Sequence, residues 1–361
     1  MTNAKRIRMT PDSKISLDRN ENLYGPAPKC YEVLSSISLN EMTVYSRDFA
    51  RGVKSSLSER LALDLQVPES QVLLGEGSED LLKQAVHCYV GPGEKVLCPS
   101  QSWWYYRTLA SEVGGTTITY ALKQGTDAFY FDVEEIIALY QKESPRVVLV
   151  ASPNNPTGNS FPDEHLEALV EAFRESIVIL DEAYWGFGNS TDERIADFVK
   201  EYRNLIVLRT FSKYYALAGA RIGFAVVGSS LGRLTKFAAR YLGYNRISEA
   251  LALAALNSPE YYLSIRKKIR DDRQAYYNRF DSLGGFKCYR SDANFVMVRM
   301  PPDIVQPLRE FLKQQRIEIK FFSDPEFQSF ARITIGTQEQ NQILLNGITE
   351  FMSTVTSAFK S

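Results

Sequence analysis

Three short polar stretches each follow a run of Val, Ile and Leu, and each offers a different reactive group. Residues 152–158 read S-P-N-N-P-T-G, a tight turn bounded by proline and glycine that presents the amide of Asn155. Asp181 ends the apolar run 177–180. A carboxylate leaving a buried strand is costly unless it faces a cation, such as a protonated ring nitrogen. Lys213 lies in T-F-S-K, just after the run 205–208, with Arg221 eight residues further on. An amine so placed can form a Schiff base with a carbonyl compound, beside a guanidinium that binds an anion. Taken singly, each has a plainer reading: the lysine as a solvated cation, the aspartate as a helix N-cap, the first stretch as a turn.

Bringing these groups together requires strands that end side by side. The runs 72–74, 95–98, 147–151, 177–180, 205–208 and 222–227 are near-continuously apolar, not alternating. Such runs suit strands covered on both faces of a mostly parallel sheet. Between them, 162–174 carries Leu166, Leu169, Val170 and Phe173 at helical spacing, and 78–89 is similar. The latter opens after the glycines of G-E-G-S-E-D, which offers backbone N–H groups to a phosphate, or serves as a plain loop. Strand and helix alternating over 70–230 predict a large α/β domain with helices on both faces and its ligand at the carboxyl ends of the strands. Beyond 235 a basic helical stretch precedes F-V-M-V-R at 295–299, a helix near 306–315 and R-I-T-I at 332–335, which predicts a smaller α+β domain. The expected division is 1–40 as an N-terminal segment packing with the small domain, 41–235 as the large domain, and 236–361 as an interdomain helix and small domain.

Composition excludes several other functions. The chain has 361 residues with 42 Lys+Arg against 43 Asp+Glu, so no broad field exists to capture nucleic acid or a lipid surface. At 44% hydrophobic residues there is material for a large core and no case for disorder. Cys30, Cys88, Cys98 and Cys288 form no C-x-x-C pair, so neither a disulfide framework nor a zinc cluster is expected. His87 and His165 are the only histidines, which removes most zinc-hydrolase chemistry. The basic N-terminus has no apolar stretch behind it, and no run approaches the roughly 18 apolar residues that span a bilayer. A soluble cytoplasmic protein is expected.

Jointly, S-P-N-N-P-T-G, D-E-A-Y, and T-F-S-K followed by A-L-A-G-A-R-I-G-F are specific. Through them the chain resembles the fold type I pyridoxal-phosphate aminotransferases. The ends also match, with L-D-R-N-E-N-L-Y-G-P-A-P at 17–28 and A-R-I-T-I-G-T at 331–337. The N-E-N-x-Y-G-P stretch is similar to the histidinol-phosphate aminotransferase subgroup. The resemblance implies a large domain with a mostly parallel seven-stranded sheet, a smaller α+β domain, and pyridoxal 5'-phosphate as cofactor. It implies that Lys213 holds the cofactor and moves a proton, that Asp181 keeps its ring nitrogen protonated, and that Asn155 and Tyr184 hydrogen-bond its phenolic oxygen. Gly77, Ser78, Glu79, Thr210, Ser212 and Arg221 would surround the phosphate. Tyr45 would reach the phosphate of a partner subunit, so that a homodimer follows. Arg332 would grip the substrate's anionic group, and Tyr24 would close over the pocket as a lid. Asn294 follows the family pattern and reads as structural.

Two places depart from the subgroup. In C-P-S-Q-S-W-W-Y-Y at 98–106, direct register puts Ser102 where an aromatic ring stacks on the cofactor, and Trp103 is taken as the stacking residue. Lys320 stands where a second phosphate-binding arginine is common. The expected reaction is amino transfer from histidinol phosphate to 2-oxoglutarate. An aromatic or specialised amino-acid aminotransferase, and a decarboxylase sharing the lysine, stay open on the same scaffold.

Overall fold

Apolar runs flanked by helices on both sides become the interior strands of one large sheet. In chain order the strands of the computed structural model are β1 (Ile15–Leu17), β2 (Val72–Gly75), β3 (Lys95–Pro99), β4 (Thr116–Tyr120), β5 (Leu122–Gln124), β6 (Phe129–Phe131) and β7 (Val147–Ala151). They continue with β8 (Ile177–Asp181), β9 (Leu205–Thr210), β10 (Gly223–Val227), β11 (Lys287–Tyr289), β12 (Phe295–Arg299), β13 (Ile317–Phe321) and β14 (Phe330–Thr334). The structure describes residues 14–358 except 190, 191 and 193, so most of the basic N-terminal stretch lies outside the described residues.

The large sheet has seven strands in the order β2-β10-β9-β8-β7-β3-β4. β10 runs antiparallel to both neighbours, and the other pairings are parallel. Alternate residues serve two cores. Val148, Val178, Leu180 and Val207 face one, and Val147, Leu149, Ile179 and Ile206 face the other. Full burial of such a side chain contributes about 1.5–3 kcal/mol, and truncating Leu180 to alanine would cost about 2–5 kcal/mol.

Register then does the positioning. Ala151 pairs with Asp181, and Asp181 pairs with Leu208, so β7, β8 and β9 finish nearly level. The loops that leave these three ends carry Asn155, the residues after Asp181, and Lys213. Next to β2, the helix Ser78–Tyr89 buries Leu82, Ala85, Val86 and Tyr89 on one face, and Glu79 and Asp80 in its first turn suit its positive end.

A second sheet, ordered β1-β13-β14-β12-β11, carries Lys320 and Arg332. β1 joins it in parallel beside β13, which ties the start of the chain to its C-terminal part. The helix expected at 306–315 spans Pro302–Gln314, because a proline in the first helical turn gives up no hydrogen bond. The helix expected at 162–174 is Asp163–Ala172, and the strand expected at 332–335 is Phe330–Thr334. Among the described residues no helix is long and apolar enough to cross a membrane.

Candidate active site

A cavity of about 670 Å³ opens at the carboxyl ends of β7, β8 and β9. Asn155, Asp181, Tyr184 and Lys213 line it. So do Gly77, Ser78, Glu79, Thr210, Ser212 and Arg221, together with Trp103, Lys320 and Arg332.

Asp181 is buried at the floor. Its Oδ1 accepts the backbone N–H of Ala183 at 2.9 Å, and its Oδ2 accepts the hydroxyl of Tyr106 at 2.6 Å. Burial pushes the carboxyl above the ordinary aspartate range, against the pull of these two donors. Among the described residues no basic side chain pairs with it. A buried carboxylate of this kind fits a ligand that brings its own cation, as a protonated pyridine nitrogen does. Lys213 lines the same cavity, with Nζ 3.4 Å from the carbonyl of Arg19 and 5.7 Å from the centre of the Tyr184 ring. The Tyr184 hydroxyl accepts a hydrogen bond from Asn20 Nδ2 at 2.9 Å.

An anion cradle stands beside the amine. Thr210 Oγ1 donates to Ser212 Oγ at 3.0 Å, and Arg221 reaches Ser212 Oγ at 3.4 Å and the carbonyl of Glu76 at 3.2 Å. Glycine is required at two points. Gly77 has φ +86, and a Cβ there would lie 2.8 Å from Arg221 Nη2. A Cβ on Gly223 would come within 2.5 Å of the Ser78 backbone nitrogen, closing the approach of the helix start to β10. Free N–H groups, hydroxyls and a guanidinium around a side-chain-free turn fit a phosphate.

Opposite, Lys320 and Arg332 are register partners on neighbouring antiparallel strands, so their side chains leave the same face. Arg332 Nη1 donates to Asn155 Oδ1 and Nη2 to the carbonyl of Asp18, each at 2.5 Å. Its Nε is buried without a partner, and desolvation draws the guanidinium below its ordinary range. A buried cation with a donor to spare fits an incoming anionic group. On the upper wall Ser102 and Trp103 both face the cavity, with Ser102 Oγ donating to Asn154 Oδ1 at 2.6 Å.

Two residues expected at the site lie outside this cavity. Tyr24 donates to Asp272 Oδ2 at 3.2 Å, which holds it against the long helix Pro259–Asp281 instead of over the opening. Tyr45 is 70% exposed on the surface. Asn294 donates from Nδ2 to the carbonyls of Asn20 at 3.1 Å and Glu21 at 3.3 Å, fastening the N-terminal segment that brings Asp18, Arg19 and Asn20 to the cavity. Sequence reasoning missed Tyr106 and Asn20. The available signals were the third residue after Trp103 and the asparagine opening N-E-N.

Similar proteins place this geometry. A histidinol-phosphate aminotransferase of Ruminiclostridium cellulolyticum is 31% identical over 338 residues, which is 92% of this chain and 91% of that protein. One from Pseudomonas putida is 31% identical over 337 residues, 92% of each. The crystal structure of histidinol-phosphate aminotransferase from Sinorhizobium meliloti in complex with pyridoxal-5'-phosphate matches with a TM-score of 0.81 at 25% identity, covering 94% of this chain and 91% of that one. The family model for aminotransferase class I and II matches residues 12–348, and the chain belongs to that family.

Proposed function

We propose that the protein transfers an amino group from histidinol phosphate to 2-oxoglutarate, with pyridoxal 5'-phosphate as its resident cofactor. When bound, the cofactor supplies an electron sink that lets a substrate Cα–H bond break. The observation that carries this reading is the meeting of Asn155, Asp181 and Lys213 at three level strand ends beside the Gly77–Arg221 cradle.

Each residue then has a task. Lys213 would hold the cofactor through its Nζ amine and, once released from it, would be the base that moves a proton at the substrate carbon. Asp181 would keep the ring nitrogen protonated, Asn155 and Tyr184 would hydrogen-bond the phenolic oxygen, and Trp103 would supply the stacking ring. Gly77, Ser78, Glu79, Thr210, Ser212 and Arg221 would hold the cofactor's phosphate. Arg332 and Lys320 would receive the substrate's phosphate, the first through its unpartnered Nε–H and the second as a point charge. Two cations on one face favour a phosphate-bearing substrate. Tyr24 acts as a lid only after release from Asp272.

A homodimer completes the site in this reading. Tyr45 stands among exposed apolar residues, including Leu39 at 79% and Met42 at 64%. An isologous dimer would cover that patch and deliver Tyr45 to the partner's cavity. Residues 41–235 would hold the cofactor, with 1–40 and 236–361 closing the pocket. A cytoplasmic setting accords with the four buried free cysteines.

The test is a half-reaction. Histidinol phosphate added to the loaded enzyme should convert the cofactor from its aldehyde to its amine form, and 2-oxoglutarate should restore it. Conversion by phenylalanine or tyrosine but not by histidinol phosphate would replace the substrate with an aromatic amino acid. Release of carbon dioxide without the amine form would mean a decarboxylase.

A further inference from the structure

Behind the Asn155 loop lies a second cavity of about 500 Å³ that shares no lining residue with the first. It is bounded by the β5–β6 hairpin, the start of the helix Asp163–Ala172, the long helix Pro259–Asp281 and the turn at Ser291 and Asp292. Its volume falls in the range of about 300–1,000 Å³ usual for small-molecule sites.

One wall is aromatic. Phe131 and Phe161 stack with centroids 3.7 Å apart, and Tyr277 lies nearby under the Arg290 guanidinium at 4.3 Å. The lining is also cationic. Arg270 and Arg290 are exposed to the cavity mouth and make no ion pair among the described residues. Arg273 is buried and already donates to the carbonyls of Ser291, Ala293 and Phe187, so it serves the fold. Asp292 is the one carboxylate in the lining, leaving the wall net positive.

A third observation points to a ligand. Asn159 lines this cavity, is 5% exposed, and accepts the Thr157 hydroxyl on Oδ1 at 2.6 Å, while its Nδ2 is buried with no partner. An unmet buried donor is costly, and a ligand oxygen would offset that cost.

We propose that this cavity binds a small organic anion with a flat apolar body, an aromatic carboxylate in its simplest form. Arg270 and Arg290 take the anionic oxygens, Asn159 Nδ2 donates a further hydrogen bond, and the ring lies against Phe161 and Tyr277. The site is linked to the first cavity. Asn159 is bonded to Thr157, Thr157 Oγ1 accepts from Asn154 Nδ2 at 2.7 Å, and Asn154 Oδ1 accepts from Ser102 on the wall beside Trp103. An occupant that reorients Asn159 therefore alters the loop that carries Asn155 and the wall that carries Trp103.

The probe is 4-bromobenzoate with the cofactor-loaded enzyme. Crystals soaked in it should show the bromine between Phe161 and Tyr277, and calorimetry should give an affinity that falls by about 10-fold or more in the Arg270→Gln/Arg290→Gln double variant. The uncharged 4-bromobenzyl alcohol should not bind there. Bound probe should shift the cofactor's visible absorption in the native enzyme, and Ser102→Ala should keep the binding and lose the shift. Bromine only beside Arg332, or an affinity unchanged in the double variant, would overturn the site. A shift that survives in Ser102→Ala would overturn the link.

Discussion

Tyr106 donates its hydroxyl proton to Asp181 Oδ2 across 2.6 Å, joining the aromatic wall at 103–106 to the end of β8. The bond favours the charged carboxylate where burial opposes it. Tyr106→Phe leaves Asp181 with the Ala183 N–H alone. The loss of a hydrogen bond to a buried charge is worth about 1.5–3 kcal/mol, so kcat should fall by about 10- to 100-fold in steady-state assays. A kcat within twofold of the native value would show that the bond does not serve the reaction.

Without its cofactor, the protein should carry the cost of Asp181 in its pH-dependent stability. The folded-state value is raised, so the stabilising contribution is complete below the ordinary aspartate value of about 3.9 and is lost as pH rises through the raised one. Burial also raises Glu249 and Asp272, which adds the same slope to both proteins in a comparison. Urea denaturation of the cofactor-free protein should therefore show Asp181→Asn gaining on the native chain as pH increases. A difference independent of pH would mean that Asp181 titrates normally in the fold.

Gly77 has φ +86 and ψ 168, a backbone region essentially confined to glycine. Gly77→Ala should cost about 1–3 kcal/mol and push Arg221 out of the cradle. Fluorescence titration should show cofactor affinity falling by about 10-fold or more. Unchanged affinity would place the phosphate elsewhere.

The two cations opposite the amine should separate by substrate. Arg332→Lys removes the fork to Asn155 and Asp18, and should lower kcat/KM by about 100-fold for every amino donor. Lys320→Gln removes one exposed charge, and should raise KM for histidinol phosphate while leaving donors without a phosphate unchanged. Equal effects of Lys320→Gln on all donors would argue against a phosphate at that position.

Much of this site is legible in the sequence because the strands announce themselves. A buried strand reads as a short apolar run, and a polar residue where the run stops must sit at the sheet edge, which locates Asn155, Asp181 and Lys213. Pairing order carries no such local mark: β10 lies antiparallel between β2 and β9, and β1 joins strands some 300 residues away. Tyr106 and Asn20 were missed for the same reason. Their partners Asp181 and Tyr184 are 75 and 164 residues distant, and a tyrosine or an asparagine alone reads as ordinary core or turn. Tyr24 shows the converse. Its place in the N-terminal motif suggests a lid, yet Asp272 on the long helix offers it a nearer partner.

The most direct measurement is to load the protein with pyridoxal 5'-phosphate, reduce it with borohydride and map the modified peptide by mass spectrometry. The label should fall on Lys213, and Lys213→Ala should take up none. A label on another lysine, or none on the loaded native protein, would contradict the assignment of this amine as the one that holds the cofactor.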